Sequence, residues 1–487
     1  MLSLLAVCLH LVAAQSTQAV TGIKQTPKGA EITLENGEKI FESLPVRPMC
    51  PLRIGGVFTR GLGASPDPQE DSARNGTQIS PQKALWIARN CDVIAVSPTN
   101  ASPQIFTTIR HAQPLFTPLL YLYASTLFET DHAATVGGWK PEMAKWTLKA
   151  ADGSEVPYPD PGGHWMDFSS ADWGHYWRDR VIQLTHQYGA DGAVAAELPI
   201  GNSFVTTKLA DYSTANDRAA ATAAWLQAAH APGTFVLVPS ALGFDALADH
   251  ATLPPAPGSE RVSLTGRLWD DYFPYYDGAW SEGWIHPYWG KGSVPEKIWN
   301  MEMEAADRTG NTGGVFIASA GYRNVEELEF NIASFLLISH RQGRFVFQPM
   351  PLTEHEPADA GFSLEVARRE VERYRSYFDV PLGVPMQNRH MVPAGTGWVW
   401  RRAFQRGVVY VNSSDSSNAT VLFSGLMKRV DGSKVREVVL PPHTGVVMQY
   451  LTAPVTPTKH PVKITVRKGQ FVPTPQGAPK HGSVPGN

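Results

Sequence analysis

Eight short apolar runs, segments of helical spacing between several of them, and a later switch to closely spaced strand signals predict an α/β fold. The expected architecture is a (β/α)8 TIM barrel followed by a small antiparallel β-sandwich domain. The runs are LRIGGVFTR (52–60), CDVIAVSP (91–98), TPLLYLYAS (117–125), GADGAVAAE (189–197), TFVLVPSA (234–241), YDGAWSEGW (276–284), GGVFIASAG (313–321) and RFVFQP (344–349). Runs apolar almost throughout suit strands buried on both faces, as parallel strands are. Eight of them over roughly 300 residues is the count and length of a closed barrel.

In chain order, MLSLLAVCLHLVAAQSTQA (1–19) reads as a secretion signal with small residues for cleavage near Ala14 or Ala19, too short to span a bilayer. Residues 20–45 form an N-terminal segment in which AEITLENGEKIF alternates around an Asn-Gly pair, a hairpin signature. The barrel occupies 46–379. Between its strands, Trp173, Trp177, Val181, Leu184 and Tyr188 recur at helical spacing behind Ser170, a suitable N-cap. The last barrel helix is SLEVARREVERYRSYF (363–378), with Leu364, Ala367, Val371, Tyr374 and Phe378 on one face. An open doubly wound sheet is the alternative, but no G-x-G-x-x-G or Walker-type loop accompanies any strand. From 380 to 451 the runs GWVWRRAF, GVVYVNSS, ATVLFSG, VREVVLPP and TGVVMQY are separated by turn residues, the pattern of a β-sandwich. Residues 452–487 are Pro- and Gly-rich, basic and free of acids, which reads as a disordered tail.

With 43% hydrophobic residues, 18% charged residues and a net charge of -3, the chain has the composition of a soluble folded protein. It has no field suited to nucleic acid or an anionic membrane. The 14 Trp and 15 Tyr supply flat amphipathic surface of the kind that paves a sugar groove, though each ring alone also serves ordinary packing. Loss of the signal removes Cys8 and leaves Cys50 and Cys91, either one disulfide or two buried thiols, and too few for a zinc site. No cofactor or metal is expected. Sequons at Asn75, Asn100, Asn412 and Asn418 fit a secreted glycoprotein. Asn100 falls close to the expected end of the second strand, where a glycan would crowd the barrel mouth.

Catalytic groups of such barrels stand at the C-terminal ends of strands. The fourth run ends in Glu197 and the sixth in Glu282, the latter beside Trp280 and Trp284. Two carboxylates across one mouth can divide glycoside cleavage: one protonates the leaving oxygen while the other attacks the anomeric carbon or activates water. Desolvation by the neighbouring indoles favours a protonated Glu282, which gives it the acid/base role and leaves Glu197 as nucleophile or base. The rival reading of each acid is a helix cap or an ion-pair partner. Asp167 and Trp165 in WMDFSS, with Trp280, Trp284, Arg60 and Tyr322, are the expected substrate contacts, and Asp167 also suits a turn ahead of the helix at Ser170. Ser97, Ser125, Ser240 and Gln348 also fall at expected strand ends, and the stretch 129–165 has the length of a lid or binding wall. Neither H-E-x-x-H nor G-x-S-x-G occurs, so zinc-protease and serine-hydrolase marks are missing.

GADGAVAAEL, YDGAWSEGW and WMDFSSADWGHYWRDRV (165–181) together resemble the glycoside hydrolase-like barrels, in particular hypothetical glycoside hydrolase family fifteen, over roughly residues 50–450. Polygalactosaminidase-like barrels are more distantly similar. The resemblance implies a glycosidase acting on an oligo- or polysaccharide, with acids on the fourth and sixth strands. One position departs from it: where related barrels carry Asp on the fourth strand, this chain has Ala196 and places the acid one step later at Glu197. A one-residue shift reverses the face of a strand residue unless a bulge or the strand's end re-aims it. The alternative this opens is a non-catalytic carbohydrate-binding or cell-surface protein on an inactive glycosidase scaffold.

Overall fold

The structure is a computed structural model that describes residues 52–58, 81–129, 134–159, 161–196, 198, 215–240, 275–287, 292–339, 344–352 and 362–451, together with the strands at 20–26, 29–34 and 39–43. The expected signal (1–19) and tail (452–487) lie outside the described residues. At the N-terminus, β1 (Val20–Thr26), β2 (Gly29–Leu34) and β3 (Lys39–Ser43) form an antiparallel sheet in that order. The pair β2 and β3 is the hairpin read from the Asn-Gly signal, in register from Gly29↔Ser43 to Thr33↔Lys39. Strand β1, which has no apolar alternation to announce it, joins along the free edge of β2.

Each of the eight apolar runs marks a barrel strand. They are β4 (Ile54–Val57), β5 (Cys91–Val96), β6 (Thr117–Tyr123), β9 (Gly192–Ala196), β10 (Val236–Pro239), β11 (Gly278–Glu282), β12 (Val315–Tyr322) and β13 (Arg344–Pro351), all paired in parallel and in sequential order around the ring. The short strands β7 (Thr126–Phe128) and β8 (Gly163–Trp165) form a separate antiparallel pair within the long connection after β6. The seam between β10 and β11 is the thinnest. It is closed by a parallel bridge between Ser240 and Trp280, by the Asp277 amide donating to Leu237 O (2.9 Å), and by the Asp277 carboxylate accepting from Leu237 N (3.0 Å).

The described helices of the outer layer are α1 (Pro81–Asn90), α2 (Pro103–Ala112), α3 (Ala171–Tyr188), α4 (Ala215–Ala229), α5 (Glu296–Asn311), α6 (Val325–Ile338) and α7 (Leu364–Arg373), followed by the single turn α8 (Arg375–Phe378). Helix α3 begins where its cap was read, with the Ser170 hydroxyl accepting from Trp173 N, and it stops at Gly189 in the left-handed region (φ 68°). Its apolar face is buried, and the indoles of Trp173 and Trp177 donate to the carbonyls of Ala124 and Tyr123 (both 3.0 Å) at the end of β6. The helix is thereby fixed to the C-terminal rim of the barrel.

Alternation along the strands sends one set of side chains inward: Val57, Val93, Ala95, Leu119, Val194, Ala196, Val238, Trp280, Val315, Ile317 and Val346 form a core inside the ring, distinct from the core beneath the helices. At the seam between β13 and β4 the backbone register is a single pair, Phe347↔Ile54. The side chain of Gln348 continues the ladder in place of backbone. Its Oε1 accepts from Val57 N (3.0 Å) and its Nε2 donates to Val57 O (2.8 Å). The Ser319 hydroxyl donates to the same Oε1 (2.6 Å), and the Trp280 indole donates to Ser319 Oγ (2.9 Å). Gly56 makes room for this arrangement, since a Cβ there would lie 2.3 Å from Gln348 Oε1 at a φ of +153°.

The C-terminal domain is one antiparallel sheet of β14 (His390–Ala394), β15 (Gly397–Phe404), β16 (Gly407–Asn412), β17 (Ala419–Arg429), β18 (Lys434–Leu440) and β19 (Thr444–Tyr450), ordered β14-β15-β16-β19-β17-β18. A register break between Leu422 and Met427 bends β17, and a sandwich-like core of Val399, Val408, Val421, Leu440, Val446 and Met448 fills one face. The other face packs on α6. A Cβ on Gly445 would meet Ala333 Cβ at 2.6 Å, and buried Arg402 donates to Leu336 O (3.0 Å) and Leu337 O (2.8 Å), the open carbonyls at the end of that helix. These contacts explain why α6 is buried along nearly its whole length.

Replacing Gln348 by Ala would leave both Val57 backbone groups and the Ser319 hydroxyl without their partner in a dry interior. The expected loss of stability is at least about 3 kcal/mol, read by urea denaturation, since each of the three orphaned buried groups costs about 1–3 kcal/mol.

Candidate active site

At the C-terminal mouth of the ring the alternation places Tyr123, Ala196, Ser240, Glu282, Ser319 and Gln348 at or just beyond the ends of the strands on the inner set. Glu282, Ser319 and Gln348 are consecutive partners across β11, β12 and β13. Below them, one pleat down from Glu282, Trp280 forms a floor. Tyr121 meets it edge-on (ring centroids 6.0 Å apart), as does Phe362 (6.3 Å), and Tyr123 lies edge-on to Tyr121 (5.7 Å). Glu282 is half-buried, one pleat above the fully buried Trp280 indole, and Tyr121, Tyr123 and Phe362 are likewise only half-buried.

The chain leaves Glu282 through a turn with two left-handed residues, Gly283 (φ 78°) and Ile285 (φ 47°). Between them Trp284 swings outward into the helix-side core, edge-to-face with Phe316 (6.4 Å) and Phe335 (6.1 Å). Five hydrogen bonds from backbone N–H groups hold the turn: Trp284 N to Ser319 O (2.8 Å), Ile285 N to the buried Glu302 Oε2 (2.6 Å), His286 N to Trp284 O (2.5 Å), Val294 N to Ile285 O (2.9 Å) and Gly321 N to His286 O (2.7 Å). Burial pushes the Glu302 carboxyl up to about 8. Burial likewise pushes the His286 imidazole down to about 4, against the opposing pull of Glu327.

The residues singled out in the sequence do not all converge here. Glu282 and Trp280 stand together at the mouth. Trp284 faces the helix layer, as does Tyr322, whose hydroxyl donates to buried Glu370 on α7. Trp165, on β8, is buried against Tyr158 (4.6 Å) outside the ring. The Asp167 carboxylate accepts from Ser169 N (2.8 Å) and Ser169 Oγ (2.8 and 2.9 Å), the turn-forming alternative at that position. Glu197 and Arg60 lie outside the described residues, and the last inward position of β9 is held by Ala196. Cys91 is a buried unpaired thiol whose pKa burial raises. Asn100 follows β5 as expected but is buried, its amide donating to Ser97 Oγ (3.0 Å).

Sequence reasoning missed Tyr121, Tyr123, Phe362, Ser319 and Glu302. Tyr121 and Tyr123 were recoverable, because they continue the inward step of two from Leu119. Phe362 sits ahead of α7 with no local signal, and Glu302 is one of many acids on a helix until the fold buries it.

Glu302 has a consequence for stability. Its folded pKa lies above the unfolded value, so its contribution is complete below pH 4.5 and is lost as pH rises toward about 8. A Glu302→Gln variant is expected to lose that decline: urea midpoints measured between pH 5 and 8 fall less steeply than for the wild type.

The family model for hypothetical glycosyl hydrolase family 15 matches residues 119–408, more than half of the chain, and the matched region contains β11, its turn and Glu302. Among solved structures, an α-amylase from Lactobacillus plantarum is 10% identical with a TM-score of 0.44, covering 83% of this chain and 99% of that one. Eubacterium rectale Amy13B is 9% identical with a TM-score of 0.47, covering 83% and 98%. Aspergillus fumigatus Ega3, solved in complex with galactosamine, is 12% identical with a TM-score of 0.35, covering 64% and 95%. No curated protein matches the sequence. By the extent of the family match the chain belongs to hypothetical glycosyl hydrolase family 15, a family of glycosidases.

Proposed function

We propose that the protein hydrolyses O-glycosidic bonds of an oligo- or polysaccharide, with Glu282 as general acid/base and Glu197 as nucleophile or general base. The observation that carries this reading is Glu282 itself, at the inward end of β11 above buried Trp280, with the partly exposed rings of Tyr121, Tyr123 and Phe362 grouped around that indole. Aromatic faces suit the C–H surfaces of a sugar ring. A carboxyl group at their rim is placed to protonate a departing glycosidic oxygen and then to take a proton from water. Glu197 follows Ala196, the last residue of β9, so its part in this scheme requires the chain to turn there and aim it into the mouth. A separation between the two carboxyl groups of about 5–5.5 Å would go with retention and about 6.5–9.5 Å with inversion.

Ala196 in the inward position favours a second reading, a carbohydrate-binding protein that has lost its fourth-strand acid. Incubation with a broad polysaccharide panel, with detection of new reducing ends, separates the two. The wild type is expected to cleave at least one member, and Glu282→Gln to lower turnover by about 10²–10⁴ with folding intact. Binding without cleavage would favour the second reading, and near-normal hydrolysis by the variant would remove Glu282 from the mechanism.

We propose further that the protein is secreted through its N-terminal apolar segment. Two sequons are then closed in the folded molecule. Asn412 is buried with its amide donating to the carbonyls of Ser417 (2.7 Å), Leu440 (2.8 Å) and Pro441 (3.0 Å), and Asn100 is held by Ser97. Asn418 is exposed. Mass spectrometry of the secreted protein is expected to find glycan on Asn418 and none on Asn100 or Asn412.

A further inference from the structure

We infer that Glu302 is a positioning residue for Glu282: its buried side chain clamps the left-handed turn that aims the acid into the mouth. The inference rests on the reading of Glu282 as acid/base. A β-branched residue at φ 47° is rare, because its Cβ crowds the neighbouring carbonyl, and such a conformation costs about 1–3 kcal/mol. Ile285 is spanned within the turn by His286 N donating to Trp284 O (2.5 Å), and both its own backbone groups are held from outside the turn, N–H by Glu302 Oε2 (2.6 Å) and C=O by Val294 N (2.9 Å). Glu302 is 2% exposed, so water is not at hand to replace it as acceptor.

The reach of this clamp is short. Ile285 is three residues from Glu282, and the intervening Gly283 and Trp284 have little freedom: Gly283 is itself left-handed, and Trp284 is fixed by Ser319 O and two phenylalanine rings. Release of Ile285 toward an ordinary backbone region would rotate the peptides that follow Glu282 and move its carboxyl across the mouth. A misplacement of about 1 Å at a reacting group can lower a rate about 100-fold. Because burial holds the Glu302 carboxyl up at about 8, the group is largely neutral at pH 7, and glutamine is its closest mimic.

The test compares Glu302→Ala, Glu302→Gln, Ile285→Gly and the double variant Glu302→Ala/Ile285→Gly, by crystal structure and by kinetics on the best-cleaved polysaccharide of the panel. Glu302→Ala is expected to shift the Glu282 carboxyl by about 1 Å and to lower kcat about 10- to 100-fold with KM nearly unchanged. Glu302→Gln should match the wild type. Glycine accepts the left-handed conformation without strain, so Ile285→Gly should fold, and the double variant should regain most of the lost kcat with Glu282 back in place. An unmoved Glu282 in Glu302→Ala, a Glu302→Gln variant as impaired as Glu302→Ala, or a double variant with no recovery would each overturn the inference. Should Glu302→Ala fail to fold, Glu302→Gln and the double variant decide it alone. If Glu282→Gln hydrolyses normally, the acid/base reading fails, while the crystallographic shift still decides whether Glu302 positions Glu282.

Discussion

Inside the ring, among side chains buried from solvent, the indole of Trp280 donates to Ser319, Ser319 donates to Gln348, and Gln348 takes both backbone groups of Val57. This chain of bonds does two things at once. It joins β13 to β4 where the backbone contributes a single register pair, so the closure of the barrel depends on an amide side chain standing in for a strand. It also fixes the floor of the mouth, because Trp280 and Ser319 lie directly below and beside Glu282. Buried polar groups are costly unless satisfied, and a satisfied network is correspondingly selective for one arrangement. Fold and site therefore share the same few atoms.

The C-terminal sheet is bound to the barrel through α6. That helix is apolar on nearly every side, which only a position between two layers can accommodate: β12 on one flank, and β16 and β19 on the other. Arg402 satisfies its final carbonyls, and Glu329 accepts from Val447 N (3.2 Å) while pairing with Arg429. The sheet thus completes the outer wall behind β12, the strand that supplies Ser319 to the mouth.

Much of this was legible in the sequence because burial on two faces writes itself as continuous apolar runs. All eight strands, the Ser170 cap and the final barrel helix follow from that rule and from helical spacing. The place of Glu282 at the end of a barrel strand was legible because the run it closes is apolar. The directions of side chains beyond the strand ends were not. Trp284 looks like a companion of Glu282 in the sequence, yet the left-handed Gly283 and Ile285 turn it to the opposite side of the wall. Tyr322 likewise ends a strand, but its hydroxyl is taken by Glu370, some fifty residues on and unpredictable from local pattern. Glu302 acquires its role only from a packing partner in another element.

The family match begins at residue 119, inside β6, and stops at 408, just after β16 begins. A polypeptide trimmed to those limits would lack β4 and β5, leaving β6 and β13 as raw edges with Gln348 reaching toward nothing. It would also cut β16 short and strip β19 from the apolar back of α6. Open parallel edges and a bare apolar helix are templates for association between chains. The family-matched segment and the length of chain that covers its own edges are thus different, and the difference is set by one glutamine and one helix.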